Sequence, residues 1–410
     1  MVTLYIHSLA AGNIGAMSSS SKMRLSASTL HFLPQEILVE ILSKLPAKSL
    51  VRFKCVSKFY CSLIVDHTFA DLHRNWSLTL PSRMSILIFY PPLSDLNTCR
   101  YYTINYSEEN QGKLQANHLR YIDNDDDLSG KVYLRSAVNG LLCFCGYPRS
   151  GDDIEIHNLS TRRHISLPTT FPRLSGINAC GLLGFDSISR RYKVLKSVQF
   201  IDRIGKHVSV KHWIFTLGLD KSWREIHSSP SFHPHNCSTT HFYYRSSVHI
   251  DGVIYSLNSL GSFDIVAFDV RTENFKAIPS PPPPNVVSPG LSEVDGRLAI
   301  LDSRMEAERC GISIWTLEES MVWKKQCFIC FPTPLLEEIA RKDFNRENLF
   351  FSSNYDGEIA VLVMWTRSIS ILFYNLRRRS WRKFDICNIF RPIILLNAEI
   401  AMHFILYNIF

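Results

Sequence analysis

Apolar residues along this chain keep two different rhythms. Between His31 and Leu72 they recur with a helical period: Ile37, Leu38, Ile41, Leu42 and Leu45 stack on one face, as residues three and four apart do on a helix. Pro34 suits a first helical position, Glu36 lies in the first turn where the helix dipole favours an anion, and Pro46 closes the segment. A second short helix carries Leu50, Phe53 and Val56 inward and leaves Lys48, Arg52, Lys54 and Lys58 to solvent. Phe59, Tyr60, Leu63 and Ile64 predict a third, and Asp66 caps a last turn holding Phe69 and Leu72. About forty residues of this kind bury too little apolar surface to be secure alone, so the module needs a partner or a supporting domain.

After Ser77 the period becomes two, and turn signals recur. Asn139-Gly140, Asp251-Gly252, Asp295-Gly296 and Asp356-Gly357 are each flanked by apolar or aromatic residues, the strongest short-range mark of a tight hairpin. A second element recurs downstream: an apolar run, an Asp or Asn, a few polar residues, then an aromatic. It stands as Phe268-Asp269 with Phe275 and as Tyr374-Asn375 with Trp381, and more loosely as Leu219-Asp220 with Trp223 and as Trp315-Thr316-Leu317 with Trp323. The steps between Asp220, Asp269, Trp315 and Asn375, 49, 46 and 60 residues, approach the roughly 40 to 50 residues of a four-stranded propeller blade. The expected fold is mainly β with a small α module: an irregular propeller of about six blades behind three helices. A pair of packed sheets is the alternative. The proline-rich run from Pro279 to Pro284 fits a connection between blades.

Residue order adds what the period alone does not carry. Leu33-Pro34-Gln35-Glu36-Ile37-Leu38, then Leu45-Pro46-Ala47-Lys48-Ser49-Leu50, then Phe53-Lys54-Cys55-Val56-Ser57-Lys58 resemble the F-box of plant F-box proteins, from Leu33 to about His73. Ser57 stands where that family usually has Cys, Phe59-Tyr60 where Ser-Trp is usual, and His67 replaces the usual Pro. The resemblance implies a three-helix module that docks on the Skp-type adaptor of a cullin-RING ubiquitin ligase, the SCF complex. Carried across, Leu33 and Pro34 open the adaptor contact, and Ile37, Leu38, Ile41, Leu42, Leu45 and Pro46 continue it. Leu50, Phe53, Val56, Leu63 and Ile64 divide between adaptor contact and internal core.

The body resembles the kelch-like F-box-associated domain found behind plant F-boxes, although the double glycines of a typical kelch repeat are missing. The markers are Asn139-Gly140-Leu141-Leu142-Cys143, Asn158-Leu159-Ser160-Thr161-Arg162, Leu167-Pro168, Leu183-Gly184-Phe185-Asp186, Tyr192-Lys193-Val194, Phe268-Asp269 to Ile278-Pro279-Ser280-Pro281, and Ile314-Trp315. Members of that family use this domain to bind the protein to be ubiquitinated. The implied function is that of a non-catalytic substrate receptor; a propeller enzyme, or an F-box scaffold outside the ligase, is the alternative. The implied organisation is an extension over 1–29, an F-box over 30–76 and a propeller-like domain over 77–410. Val2 to Ala16 lacks the positive start of a signal peptide, Ser18 to Ser21 reads as a linker, and Met17 or Met23 could equally be the start.

Composition narrows the remaining classes. The 410 residues are 46% hydrophobic and 20% charged, which excludes a mainly disordered or fibrous chain. The net charge of +8 is scattered except for Arg377-Arg378-Arg379-Ser380-Trp381-Arg382-Lys383, so nucleic acid is not an expected partner. The apolar tail from Ile393 to Phe410 is interrupted by Asn397, Glu399, His403 and Asn408, and no membrane span is predicted. Eleven cysteines without a framework suggest reduced thiols, in the cytoplasm or nucleus.

No cofactor or metal is expected. His227, His233, His235, Cys237 and His241 are irregularly spaced for zinc and read as a polar loop. Cys327 and Cys330 form a lone CxxC, expected to pack as small apolar groups in a strand. Asp123 to Asp127 lacks the Gly and distal Glu of a calcium loop. Neither a Gly-rich phosphate loop nor a Gly-x-Ser-x-Gly elbow occurs.

Overall fold

The computed structural model describes residues 33–79, 84–90, 100–105, 111–119, 132–146, 153–170, 177–201, 207–227, 232–234, 247–258, 265–279, 290–306, 309–341, 349–354, 357–365, 368–389 and 401–406. The 1–29 extension, Asp123 to Asp127, Ser280 to Pro284, His235, Cys237 and His241 lie outside them. Compactness divides the chain between Ile41 and Leu42, inside the first helix among the described residues.

Among the described residues four helices come first: α1 (Gln35–Ser43), α2 (Ala47–Lys54), α3 (Lys58–Val65) and α4 (His67–Thr79). The last turn expected after Asp66 is thus a 13-residue helix. Asp66 accepts the Thr68 N–H at 2.8 Å and the Thr68 hydroxyl, which satisfies an orphan donor at the helix start.

Twenty-four described strands follow, in six sets of four. They are β1 (Met84–Tyr90), β2 (Arg100–Ile104) and β3 (Lys113–His118); β4 (Val132–Val138), β5 (Leu141–Gly146), β6 (Ile154–Asn158) and β7 (Arg163–Ser166); then β8 (Ile177–Asp186), β9 (Arg191–Ile201), β10 (His207–Thr216) and β11 (Arg224–Ile226). Next come β12 (Ser247–Ile250), β13 (Val253–Leu257), β14 (Ile265–Asp269) and β15 (Asn274–Ile278), followed by β16 (Gly290–Val294), β17 (Arg297–Glu306), β18 (Arg309–Leu317) and β19 (Trp323–Cys330). After helix α5 (Thr333–Arg341) come β20 (Leu349–Ser353), β21 (Glu358–Met364), β22 (Ile369–Asn375) and β23 (Ser380–Cys387), and β24 (Ala401–Leu406) is last.

Each of blades 2 to 6 is a consecutive antiparallel meander, β4–β7 through β20–β23. Blade 1 is composite: β24 pairs antiparallel with β1, Ile88 opposite Met402, and β2 and β3 complete it. The first strands β24, β4, β8, β12, β16 and β20 each touch the next, and β20 touches β24. That ring is a closed six-bladed propeller and rules out the two-sheet alternative.

Blade faces fill the core. Val138, Cys143 and Ile156 of blade 2 cluster with Leu183, Val194 and Phe215 of blade 3; Leu182 and Ile214 of blade 3 cluster with Ile254 and Phe268 of blade 4. On β8, two glycines three residues apart face opposite neighbours. A Cβ on Gly181 would stand 2.8 Å from Ile154 of blade 2, and one on Gly184 2.5 Å from Val270 and 3.0 Å from Ile254 of blade 4. The Leu183-Gly184-Phe185-Asp186 marker therefore has a packing cause.

Both sequence repeats have a place in the blade. The Asn-Gly and Asp-Gly pairs join first to second strands with both residues at positive φ, 49° and 83° at Asn139-Gly140 and 44° and 82° at Asp251-Gly252, as a two-residue hairpin requires. Gly357 follows suit at 72°, Asp356 lying outside the described residues. The Asp or Asn of the second repeat pins the turn from third to fourth strand. Asn158 accepts the Thr161 N–H at 3.0 Å, Asp269 that of Thr272 at 2.7 Å, and Asn375 those of Arg377 and Arg378 at 3.1 and 2.8 Å. The aromatic reaches back to the preceding blade. Trp223 Nε1 donates to the Pro168 carbonyl at 2.5 Å, Trp323 to Pro279 at 2.6 Å and Trp381 to Cys330 at 3.1 Å. Phe275 has no donor, and there Lys193 and Arg224 of blade 3 pair with Glu273 of blade 4, at 2.8 and 2.7 Å. The 60-residue step is long because α5 and residues 342–348 intervene between blades 5 and 6; Leu335 of α5 is buried in the core.

Candidate adaptor interface

Local signals set up each F-box helix. The Leu38 N–H bonds the Pro34 carbonyl at 3.1 Å, so α1 begins at the proline. Pro46 caps α2, its carbonyl taking the Ser49 and Leu50 N–H groups at 2.9 and 3.2 Å. Arg52 and Lys54 sit in the last turn of α2, where cations suit the dipole. Ser57 accepts the Tyr60 N–H at 3.2 Å as the N-cap of α3, a role the usual Cys would fill less well. The Thr68 hydroxyl bond holds the Asp66 carboxyl below its ordinary range.

Exposure divides the thirteen residues proposed from sequence. Up to Ile41, Leu33 is 50% and Ile37 42% exposed, Pro34 is exposed, and Leu38 and Ile41 are half-buried. From Leu42 onward, Leu42 (2%), Leu50 (0%), Leu63 (8%) and Ile64 (0%) are interior. Leu45 and Phe53 are half-buried, Pro46 is exposed, and Val56, expected inward, is 66% exposed. Phe59 joins the surface at 49% exposure. The sequence pattern grouped it with Tyr60, Leu63 and Ile64, of which Leu63 and Ile64 are buried. Phe53 and Tyr60 meet edge to face, centroids 5.6 Å apart. His73, which the sequence did not mark as special, is fully buried with Nε2 3.0 Å from the Leu45 carbonyl, and so ties α4 to the α1–α2 turn.

The other sequence candidates scatter. His227 is exposed at the end of blade 3 and His233 is buried beside Asn258. Among the described residues no group of three or more His, Cys, Asp or Glu converges as a metal site. Cys327 is half-buried and its thiol pKa raised by burial, but Cys330 is exposed. Three residues apart on a strand, they point to opposite faces, which corrects the expectation that both pack. No helix among the described residues is long and apolar enough to cross a membrane.

Short capped helices followed in the chain by a six-bladed propeller are the element order of an F-box protein with an F-box-associated domain. Residues 93–405 match the family described as F-box associated beta propeller domain, and residues 30–71 match the F-box domain. The chain belongs to the F-box-associated propeller family. It is 26% identical over 387 residues to the Arabidopsis thaliana F-box protein At2g40925, covering 90% of this chain and 89% of that one. It is also 26% identical over 386 residues to the Arabidopsis thaliana F-box/kelch-repeat protein At4g19930, covering 87% and 85%. The solved structure of YjhT has a TM-score of 0.42 at 8% identity, over 73% of this chain and 94% of that one, a likeness too slight to carry any conclusion.

Proposed function

We propose that this protein is a non-catalytic substrate receptor of an SCF-type ubiquitin ligase, with residues 30–76 as the adaptor-binding module and 77–410 as the body that holds the target. The observation that carries the reading is that apolar side chains of the F-box helices are left uncovered, Leu33 and Ile37 at 50% and 42% before the division of the chain and Val56 and Phe59 at 66% and 49% after it. Their helices keep a separate interior, so these side chains are available to a partner. The Skp-type adaptor would link the chain to cullin and the RING subunit. Ubiquitin transfer would then gain from proximity, since holding two reactants together raises their effective concentration without a catalytic residue in this chain. The proposal places the protein in a reducing compartment, cytoplasm or nucleus, as eleven cysteines without a paired framework in the sequence suggest.

Co-expression with a plant Skp-type adaptor tests it. Co-purification that disappears when residues 31–73 are deleted is the expected result. A folded chain that leaves the adaptor in the flow-through would sink the receptor reading, and one that binds adaptor without ever engaging cullin would mark a scaffold outside the ligase.

A further inference from the structure

The tight basic cluster of the sequence is displayed on the turn from β22 to β23, where Arg377, Arg378 and Arg379 are exposed. Close to the turn, Trp381 Nε1 holds the Cys330 carbonyl of blade 5 at 3.1 Å, and its ring centroid lies 6.2 Å from that of Phe331. Lys324 and Lys325 are also exposed, on β19, but Lys325 overlies Trp315, which packs toward blade 4.

Several cations elsewhere on the propeller are neutralised, while Lys221 and Arg271 stand singly on their turns without a carboxylate partner among the described residues. Arg224 and Lys193 pair with Glu273, Arg297 with Glu318, Lys211 with Glu225, and, beside the cluster itself, Arg382 with Glu358 and Lys383 with Glu338. Among the described residues no carboxylate pairs with Arg377, Arg378, Arg379, Lys324 or Lys325; Lys325 only overlies the Trp315 ring at 5.7 Å. Three adjacent like charges without counter-charge repel one another and return nothing to the fold. Their scaffold is nonetheless fixed. Asn375 ties down the Arg377 and Arg378 N–H groups through its side chain and the Arg379 N–H through its carbonyl at 2.8 Å. Three guanidinium groups thus leave a pinned backbone, which lowers the ordering cost of binding.

We propose that this arginine turn of blade 6 grips a carboxylate-rich segment of the target protein, an inference that rests on the receptor reading and specifies the chemistry recognised. Guanidinium forks match carboxylates two bonds at a time. Single-stranded nucleic acid fits less well, because it needs exposed aromatic faces beside the charge, and the ring beside the turn, Trp381, is half-buried and committed to Cys330.

The test uses the full chain purified with its adaptor and a fluorescein-labelled deca-glutamate peptide read by anisotropy. Binding should weaken as salt rises. R377Q/R378Q/R379Q should lose at least about tenfold in affinity, whereas K221Q/R271Q, cations on the turns of blades 3 and 4, should stay within about twofold. The inference is overturned if the triple variant binds like the parent, or if the blade 3 and 4 control costs as much. It is equally overturned if a labelled single-stranded dodecanucleotide binds more tightly with the same dependence on Arg377 to Arg379. Adaptor co-purification is scored on every variant. Deca-glutamate binding without adaptor would count against the receptor reading alone, and adaptor binding without deca-glutamate against the arginine turn alone.

Discussion

Ile37 and Leu42 lie on one helix, and the sequence pattern treats them alike, yet they should fail in different ways when truncated. Ile37 is 42% exposed and Leu42 2%. Full burial of such a side chain is worth about 1.5–3 kcal/mol. An adaptor covering the exposed part of Ile37 gains roughly 0.6–1.3 kcal/mol from it, so Ile37→Ala should weaken adaptor binding about threefold to tenfold at unchanged stability. Leu42→Ala instead removes buried methyl groups and should cost about 2–5 kcal/mol of stability. Calorimetric titration of adaptor into each purified chain, beside a thermal melt, separates the two. Leu42→Met keeps the volume and should keep the affinity. The reasoning is refuted if Ile37→Ala binds adaptor like the parent, or if it lowers the melting temperature as far as Leu42→Ala does.

Three further outcomes follow from the propeller. Gly184→Ala forces a methyl group within 2.5 Å of Val270 and should destabilise by about 1–3 kcal/mol; adding Val270→Ala should recover part of that in urea unfolding, and strict additivity of the two losses would contradict the contact. Trp381→Phe keeps the ring but loses the bond to the Cys330 carbonyl, and a loss of about 0.5–1.5 kcal/mol is expected, against none for a Trp that served only as bulk. Burial holds the His249 ring near a pKa of about 4, against the opposing pull of the Phe185 backbone, whose carbonyl lies 3.2 Å from Nε2. The unfolded chain takes up that proton near pH 6.5, so stability is full above that pH and falls as pH drops toward about 4, by about 2 kcal/mol between pH 7 and 5. Denaturation midpoints for the parent and His249→Gln at both pH values check this, the variant losing the slope.

The helices were legible because their caps and stops are local: Pro34, Pro46, Ser57 and Asp66 each act within four residues. The hairpins were legible for the same reason, since Asn139-Gly140 and Asp251-Gly252 supply the positive φ that the turn demands. The second repeat was visible as spacing, but its cause was not, because each tryptophan bonds a carbonyl of the blade before it, 44 residues away for Trp323 and 51 for Trp381. Which of the candidate interface residues are exposed was not legible one by one. On these short helices apolar side chains occupy most of the circumference, so Phe59 and Tyr60, adjacent in sequence, end at the surface and half-buried through tertiary packing alone. Likewise, no local pattern in the apolar tail says that residues 401–406 pair with residues 84–89.

That last pairing ties the finished receptor to the order of its synthesis. The helices leave the ribosome first, whereas the inner strand of blade 1 leaves last, and until it arrives β1 is an open sheet edge and the contacts of β24 with β20 and β4 are missing. A chain stopped anywhere between the end of the helices and Ala401 carries its complete set of F-box helices on an unsealed body. Such a product would present the adaptor-facing surface with nothing intact to deliver, so premature termination late in the message should yield a competitor for the adaptor instead of simple loss.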